Sequence, residues 1–248
     1  MKIAIVGCGY VGSAMARHWK TAGHEITVTT RYASRIPELE SFSNHVVVLG
    51  SFNFLTEQDV VLIAVAPDRG GNYGETYLGT VKKVLPFVQG KHVIYISSTS
   101  IYGDHQGDWV DETNEPSPLN ENTKILWQTE EVLPTQSCIF RLGEIVGPER
   151  EIIERLKKNS GPFPGTGNQY TNLSPLHLIV QGLDCALKNR LSGVYNLCTD
   201  DHPTRRELYD TLCDQHGLPR VEWDPSQVRM HGGNKRIVSK KFTNLLNH

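Results

Sequence analysis

Apolar residues in this chain follow two rhythms. Short unbroken runs rich in Val and Ile alternate with stretches in which Leu, Val, Met and Trp recur every third or fourth position. The first pattern suits a strand buried on both faces, the second a helix with one face on a core. Residues 2–12 read K-I-A-I-V-G-C-G-Y-V-G, an apolar run that breaks into Gly7, Gly9 and Gly12. Val11, Ala14, Met15 and Trp19 follow at helical spacing, with Gly23 placed to end the helix. His18 falls on that stripe and reads as a packing residue, since no second metal-type side chain stands one turn on. Residues 25–30 (E-I-T-V-T-T) predict a second strand on their β-branched content. Residues 45–49, 59–66, 92–96, 137–142 and 193–197 predict five more. Between them lie helical stretches marked by Tyr77, Val81, Val84 and Leu85, by a start near Asn122 with Ile125, Leu126 and Val132, and by residues 176–187. Thr204 and Glu207 form a capping box ahead of a helix that stops at Gly217.

Strands alternating with helices predict an α/β fold with a doubly wound parallel sheet. The three glycines after the first strand change the picture from a fold class to a candidate site. They allow a tight turn, bring bare backbone to a pyrophosphate at a helix N-terminus, and seat that helix closely on the sheet. We therefore expect a Rossmann NAD(P)-binding domain over residues 1–148. Residues 149–248, where the pattern loosens, are expected to form a smaller second region, with the strand near 193–197 returning to the main sheet. Tyr10 and Val11 lie inside the glycine loop, and Ala64, Val65, Ala66 and Pro67 at the fourth strand's tip are small enough for a ribose and phosphates to lie close.

The end of the second strand bears on the choice of dinucleotide. NAD-binding versions place a carboxylate there, roughly 20 residues beyond the glycines, for the ribose 2′-OH. Here that place holds Thr29, Thr30 and Arg31, with Arg35 shortly after. A hydroxyl and guanidinium groups suit a 2′-phosphate, so NADP is the expected cofactor and NAD the alternative. Two arginines in a loop are also compatible with plain solvated surface.

Composition narrows the partners. A net charge of −2 over 248 residues, 38% hydrophobic and 21% charged, fits a globular domain without the basic excess of a nucleic-acid binder. The basic residues Lys235, Arg236, Lys240 and Lys241 read as solvated surface, and the acidic residues of the polar segment 104–122 as an ordinary loop. No apolar run approaches the ~18 residues of a membrane span, and the first residues read as a strand, not a secretion signal. The five cysteines are scattered with no C-x-x-C pair, so neither a disulfide framework nor a metal site is expected. A reducing cytoplasm is the expected location.

Taken together, the glycines, residues 64–67, Ser97-Ser98-Thr99-Ser100-Ile101-Tyr102-Gly103, Lys124, residues 141–148 and residues 193–197 resemble the short-chain dehydrogenase/reductase superfamily. The likeness is to its NAD-dependent epimerase/dehydratase branch and spans nearly the whole chain in the family's order. It implies hydride transfer on a sugar-like or small carbonyl or alcohol substrate, a small substrate-binding region over residues 149–248, Arg141 and Leu142 beside the cofactor, and dimers through helices flanking the sheet. The family's hydroxyl, four residues before its Tyr-Gly pair, maps to Ser98, which equally suits a strand-end cap. The family's Lys, which holds the nicotinamide ribose and lowers a tyrosine's pKa, maps to Lys124. The tyrosine itself is expected at residue 120, which is Asn.

Three resolutions follow from Asn120. Tyr102 or Tyr73 could reach in from another loop, or the chain resembles the atypical members that lack this tyrosine. Alternatively, it binds NADP(H) without catalysis, as a regulator or scaffold. Dehydratase members carry Asp-Glu after the hydroxyl, whereas Thr99 and Ser100 stand here, so the resemblance favours oxidoreduction or epimerisation.

Overall fold

The structure is a computed structural model that describes residues 1–68, 70–227 and 233–246. It begins with β1 (Lys2–Val6), α1 (Tyr10–Thr21), β2 (Glu25–Thr30), α2 (Ile36–Glu40), β3 (His45–Val48), β4 (Val60–Ile63), α3 (Thr80–Val84) and β5 (His92–Ser98). Next come β6 (Trp109–Val110), α4 (Glu121–Glu131), β7 (Cys138–Leu142), β8 (Glu144–Val146), α5 (Ile152–Lys158), β9 (Phe163–Pro164) and β10 (Leu173–Pro175). The chain continues through α6 (Leu176–Asn189), β11 (Gly193–Leu197), α7 (Arg205–His216), β12 (Trp223–Asp224), β13 (Arg236–Ile237) and α8 (Lys240–Leu246).

Seven strands form one sheet in the order β11-β7-β5-β4-β1-β2-β3, and every pairing in it is parallel. Alternation along each strand feeds two cores, as a sheet covered on both faces requires. Ile3 and Ile5 pack with Trp19, Phe140, Leu183 and Phe242 on one face. Ala4 and Val6 pack with Val81, Val84 and Tyr95 on the other. The winding runs outward from β1 through β2 to β3, then returns to β4 on the opposite side of β1. That reversal opens a crevice at the carboxyl ends of β1 and β4, where doubly wound sheets take their ligands.

The strand expected at 59–66 ends at Ile63, because Ala64 lies against the glycine turn and the chain then leaves the sheet. The strand expected at 92–96 runs on to Ser98, since Ser97 and Ser98 keep register with Arg141 and Leu142. β11 hydrogen-bonds along the whole of β7. Ile152, Ile153, Leu156, Tyr209 and Cys213 form a separate small core between α5 and α7. The polar segment 104–122 is not all loop, for it contributes β6, which pairs with β13. Nor is the basic stretch simple surface. Lys235 is buried and donates to Gly103 O at 2.9 Å, and Arg236 stacks between Trp109 and Tyr170.

Candidate cofactor and active-site cleft

The crevice is a cleft of about 1930 Å³ running over the carboxyl ends of the central strands. Sites for one small molecule enclose roughly 300–1,000 Å³, so this one has room for a dinucleotide and a second ligand.

The three glycines have separate duties. Gly7 has φ +96°, and a Cβ there would fall 2.7 Å from Ala64 O. At Gly12 a Cβ would fall 2.3 Å from Gly7 O. Both are demanded by the packing of turn, sheet and helix. Gly9 has nothing within 4 Å of the place a Cβ would take. It caps α1 without any side-chain bond, and no acidic residue stands in the first turn. The result is a bare helix N-terminus, with partial positive charge, opening on free space.

Neighbouring side chains shape this turn. Gly7 N–H donates to Thr29 Oγ1 at 3.0 Å. Arg35 donates from Nη1 to Cys8 O at 2.8 Å, and from Nε and Nη2 to Glu38 at 3.0 and 2.9 Å. This contact holds the Glu38 carboxyl below its usual range. Arg35 lines the cleft, but its fork is anchored in place. The Thr30 hydroxyl is drawn into the turn after β2, accepting from Tyr32 N–H at 3.1 Å. Arg31 points across the cleft mouth. Tyr10, Val11, residues 64–67 and Leu142 all lie on the walls.

At the other end of the cleft stands Ser98. Its Oγ accepts from Ser100 N–H at 3.1 Å, a cap on the turn that follows β5, which leaves the hydroxyl proton to be donated. Capping and a chemical role are therefore compatible. Three other expected residues do not reach the cleft. Lys124 is exposed and absent from the walls, whereas Leu126 lines them. Two residues along a helix amount to about 200° of rotation, so Lys124 and Leu126 occupy opposite faces of α4. Asn120 is its N-cap, accepting from Thr123 N–H at 3.1 Å while Thr123 Oγ1 accepts from Asn120 N–H at 3.2 Å.

Tyr102 is fully buried away from the cleft, donating to Asn196 Oδ1 at 2.8 Å and accepting from Arg141 Nη1 at 2.8 Å. Arg141 is buried too, and its Nη2 lies 2.7 Å from Glu130 Oε2. Strand alternation sends Arg141 under the sheet toward α4 while Leu142 meets the cleft. Ser97 Oγ donates to the same carboxylate at 2.5 Å. Glu130, Arg141, Tyr102 and Asn196 thus brace the floor on which Ser98 and Leu142 sit.

The phenols that do line the cleft are Tyr10, Tyr32, Tyr73 and Tyr77. Tyr73 and Tyr77 have ring centroids 5.3 Å apart. Their spacing, i and i+4, was a legible sign of a shared face, but the sequence reading offers only Tyr73 of the two as a hydroxyl for the site and takes Tyr77 as a helical packing residue. Burial pushes Tyr77 up to about 12, so near neutral pH it is a donor and not a phenolate. A phenol titration of the wild type against Tyr77→Phe should show the missing group ionising near pH 12. Because an unfolded phenol ionises at about 10, this group's contribution to stability is whole below pH 10 and lost as pH rises toward 12. Ionisation of the missing group near 10 would contradict the burial.

The residues after β8 close the cleft's far side with mixed charge. Arg155 joins Glu144 Oε1 at 2.7 Å and Tyr209 Oη at 2.9 Å. Tyr10 Oη donates to Pro148 O at 2.7 Å, and the Arg150 guanidinium lies 4.6 Å over the Tyr10 ring. The glycine turn and the segment after β8 are latched together there. Among the described residues no cluster of His, Cys, Asp and Glu is arranged to hold a metal ion, and no helix is long and apolar enough to cross a membrane.

Comparison with known proteins agrees with this fold. Residues 2–71 match the family described as NADP oxidoreductase coenzyme F420-dependent. Protein YeeZ of Escherichia coli K12 is 28% identical over 257 residues, covering 96% of this chain and 90% of that protein. A functionally unknown conserved protein from Silicibacter pomeroyi superposes with TM-score 0.84 at 23% identity, covering 100% of this chain and 92% of the other. The UDP-glucuronic acid 4-epimerase of Bacillus cereus, solved with UDP-glucuronic acid and NAD, gives TM-score 0.83 at 19% identity, covering 100% and 93%. The chain has the Rossmann fold of these epimerases, and its resemblance to the epimerase/dehydratase branch holds at the level of fold.

Proposed function

We propose that this chain, built on the fold of NAD-bound sugar-nucleotide epimerases, is an NADP-dependent oxidoreductase or epimerase acting on a sugar-like or small carbonyl or alcohol substrate. The observation that carries the reading is Gly9, a glycine that the fold itself does not require, at a bare helix N-terminus facing the cleft. A ligand approaching the backbone closely gives that position a reason to lack a side chain.

The residues present fit a nicotinamide dinucleotide. The first turn of α1 would hold the pyrophosphate, residues 64–67 would let a ribose lie close, and Arg31 would meet a 2′-phosphate. When bound, the nicotinamide gives or takes the hydride. Ser98 donates its hydroxyl hydrogen bond to the substrate oxygen and so favours the charge that develops there. Leu126 and Leu142 keep water from that end. Tyr73 is the phenol available to move the proton, with water the other route.

NADPH binding and oxidation across a panel of sugars, ketones and quinones test this reading. Ser98→Ala should lower turnover about 10²–10³-fold, in the range for loss of one oxyanion donor, with NADPH affinity unchanged. Lys124→Ala should change neither. Tight binding without turnover on any member of the panel would argue for a binding protein instead.

A further inference from the structure

The cleft mouth between the ends of β2 and β4 is bridged by three side chains. Arg31 Nη2 lies 2.8 Å from Asp68 Oδ1. Tyr32 Oη donates to Asp68 Oδ2 at 2.9 Å. Arg31 and Tyr32 leave the end of β2, Asp68 follows β4, and all three line the cleft. The bridge therefore crosses the gap that the reversal of strand order leaves for a ligand.

This arrangement bears on which dinucleotide the site prefers. Arg31 stands where a 2′-phosphate would be read, yet its guanidinium already holds a carboxylate. A phosphate carrying about −1.5 to −2 charges must take Arg31 from Asp68 or share its guanidinium with it, and in either case lies beside the carboxylate. A ribose bearing only a 2′-OH meets neither cost.

We propose that Asp68 is a specificity-determining residue of the cofactor site, an internal competitor for Arg31 that restrains the preference for the 2′-phosphorylated dinucleotide. Tyr32 holds the competing carboxylate in position. The inference rests on the dinucleotide reading above.

Fluorescence titrations of the full chain with NADPH and with NADH decide the matter, using wild type, Asp68→Asn, Arg31→Ala and the double variant. Both partners are about half exposed, at 47% and 56%, so the effect should be modest. Asp68→Asn should tighten NADPH roughly two- to tenfold at low salt and leave NADH within about twofold. Asp68→Ser should do the same if the charge is responsible. In the Arg31→Ala background the gain should vanish. The inference fails if Asp68→Asn leaves NADPH unchanged, weakens it or moves both cofactors equally, if it weakens NADH selectively, or if its gain survives without Arg31. A wild-type chain that binds neither dinucleotide would overturn the cofactor reading itself, and this inference with it.

Discussion

Gly9→Val is expected to fold normally and to lose NADPH, with affinity falling at least about 100-fold, or ~2.7 kcal/mol. The backbone at Gly9 has φ −87°, a value any residue adopts. No atom lies within 4 Å of a Cβ placed there. The protein alone therefore gives no reason for a large thermal shift. What valine removes is the close approach of a ligand to bare N–H groups. Gly12→Ala should behave in the opposite way. Its methyl would lie 2.3 Å from Gly7 O, a backbone atom fixed between β1 and α1, and such overpacking costs about 1–3 kcal/mol or more. Thermal melts with parallel NADPH titrations separate the two. Normal NADPH binding by Gly9→Val would remove this cleft as the dinucleotide site.

Breaking the buried ion pair beneath the cleft should have the largest effect on stability. Glu130 and Arg141 are both nearly inaccessible, with side chains 5% and 7% exposed. Glu130→Gln or Arg141→Met leaves the partner's charge in a desolvated site, at a cost of about 3–5 kcal/mol. For a chain of this size that lowers Tm by roughly 6–20 °C. Replacing both residues by apolar ones should cost much less than the sum, because no uncompensated charge remains. Additive losses in the double variant would show that packing, not charge, governs the site. The single variants should also loosen Ser98, since Ser97 beside it bonds to Glu130.

The sheet and its glycine turn were legible because each rests on local chemistry. Parallel strands buried on both faces must be apolar throughout, and a turn pressed against Ala64 can be made only by glycine. The cleft's chemical end was harder to read. The family resemblance pointed to Lys124, but the phase of α4 follows from Asn120 acting as its cap and brings Leu126 inward. An apolar residue there looks like any other core position in sequence. Tyr102 had the right spacing after Ser98, and only Arg141 and Asn196, distant in sequence, explain its burial. The bridge at the cleft mouth was equally hidden, since Tyr32 and Asp68 meet across 36 residues. Their contact depends on the order of strands in the sheet and on no local pattern.

The late strand β13 has a consequence for biosynthesis. It pairs with β6 from the middle of the chain, and Phe242 just beyond it is fully buried against Phe140 of β7. Ser239 Oγ accepts from Cys198 N–H at 3.0 Å, at the exit of β11. α1 and α6 cover most of that face of the central sheet, and these late residues close the part of it around Phe140. Phe140 therefore gains the cover of Phe242 only after all seven strands of the central sheet have been made.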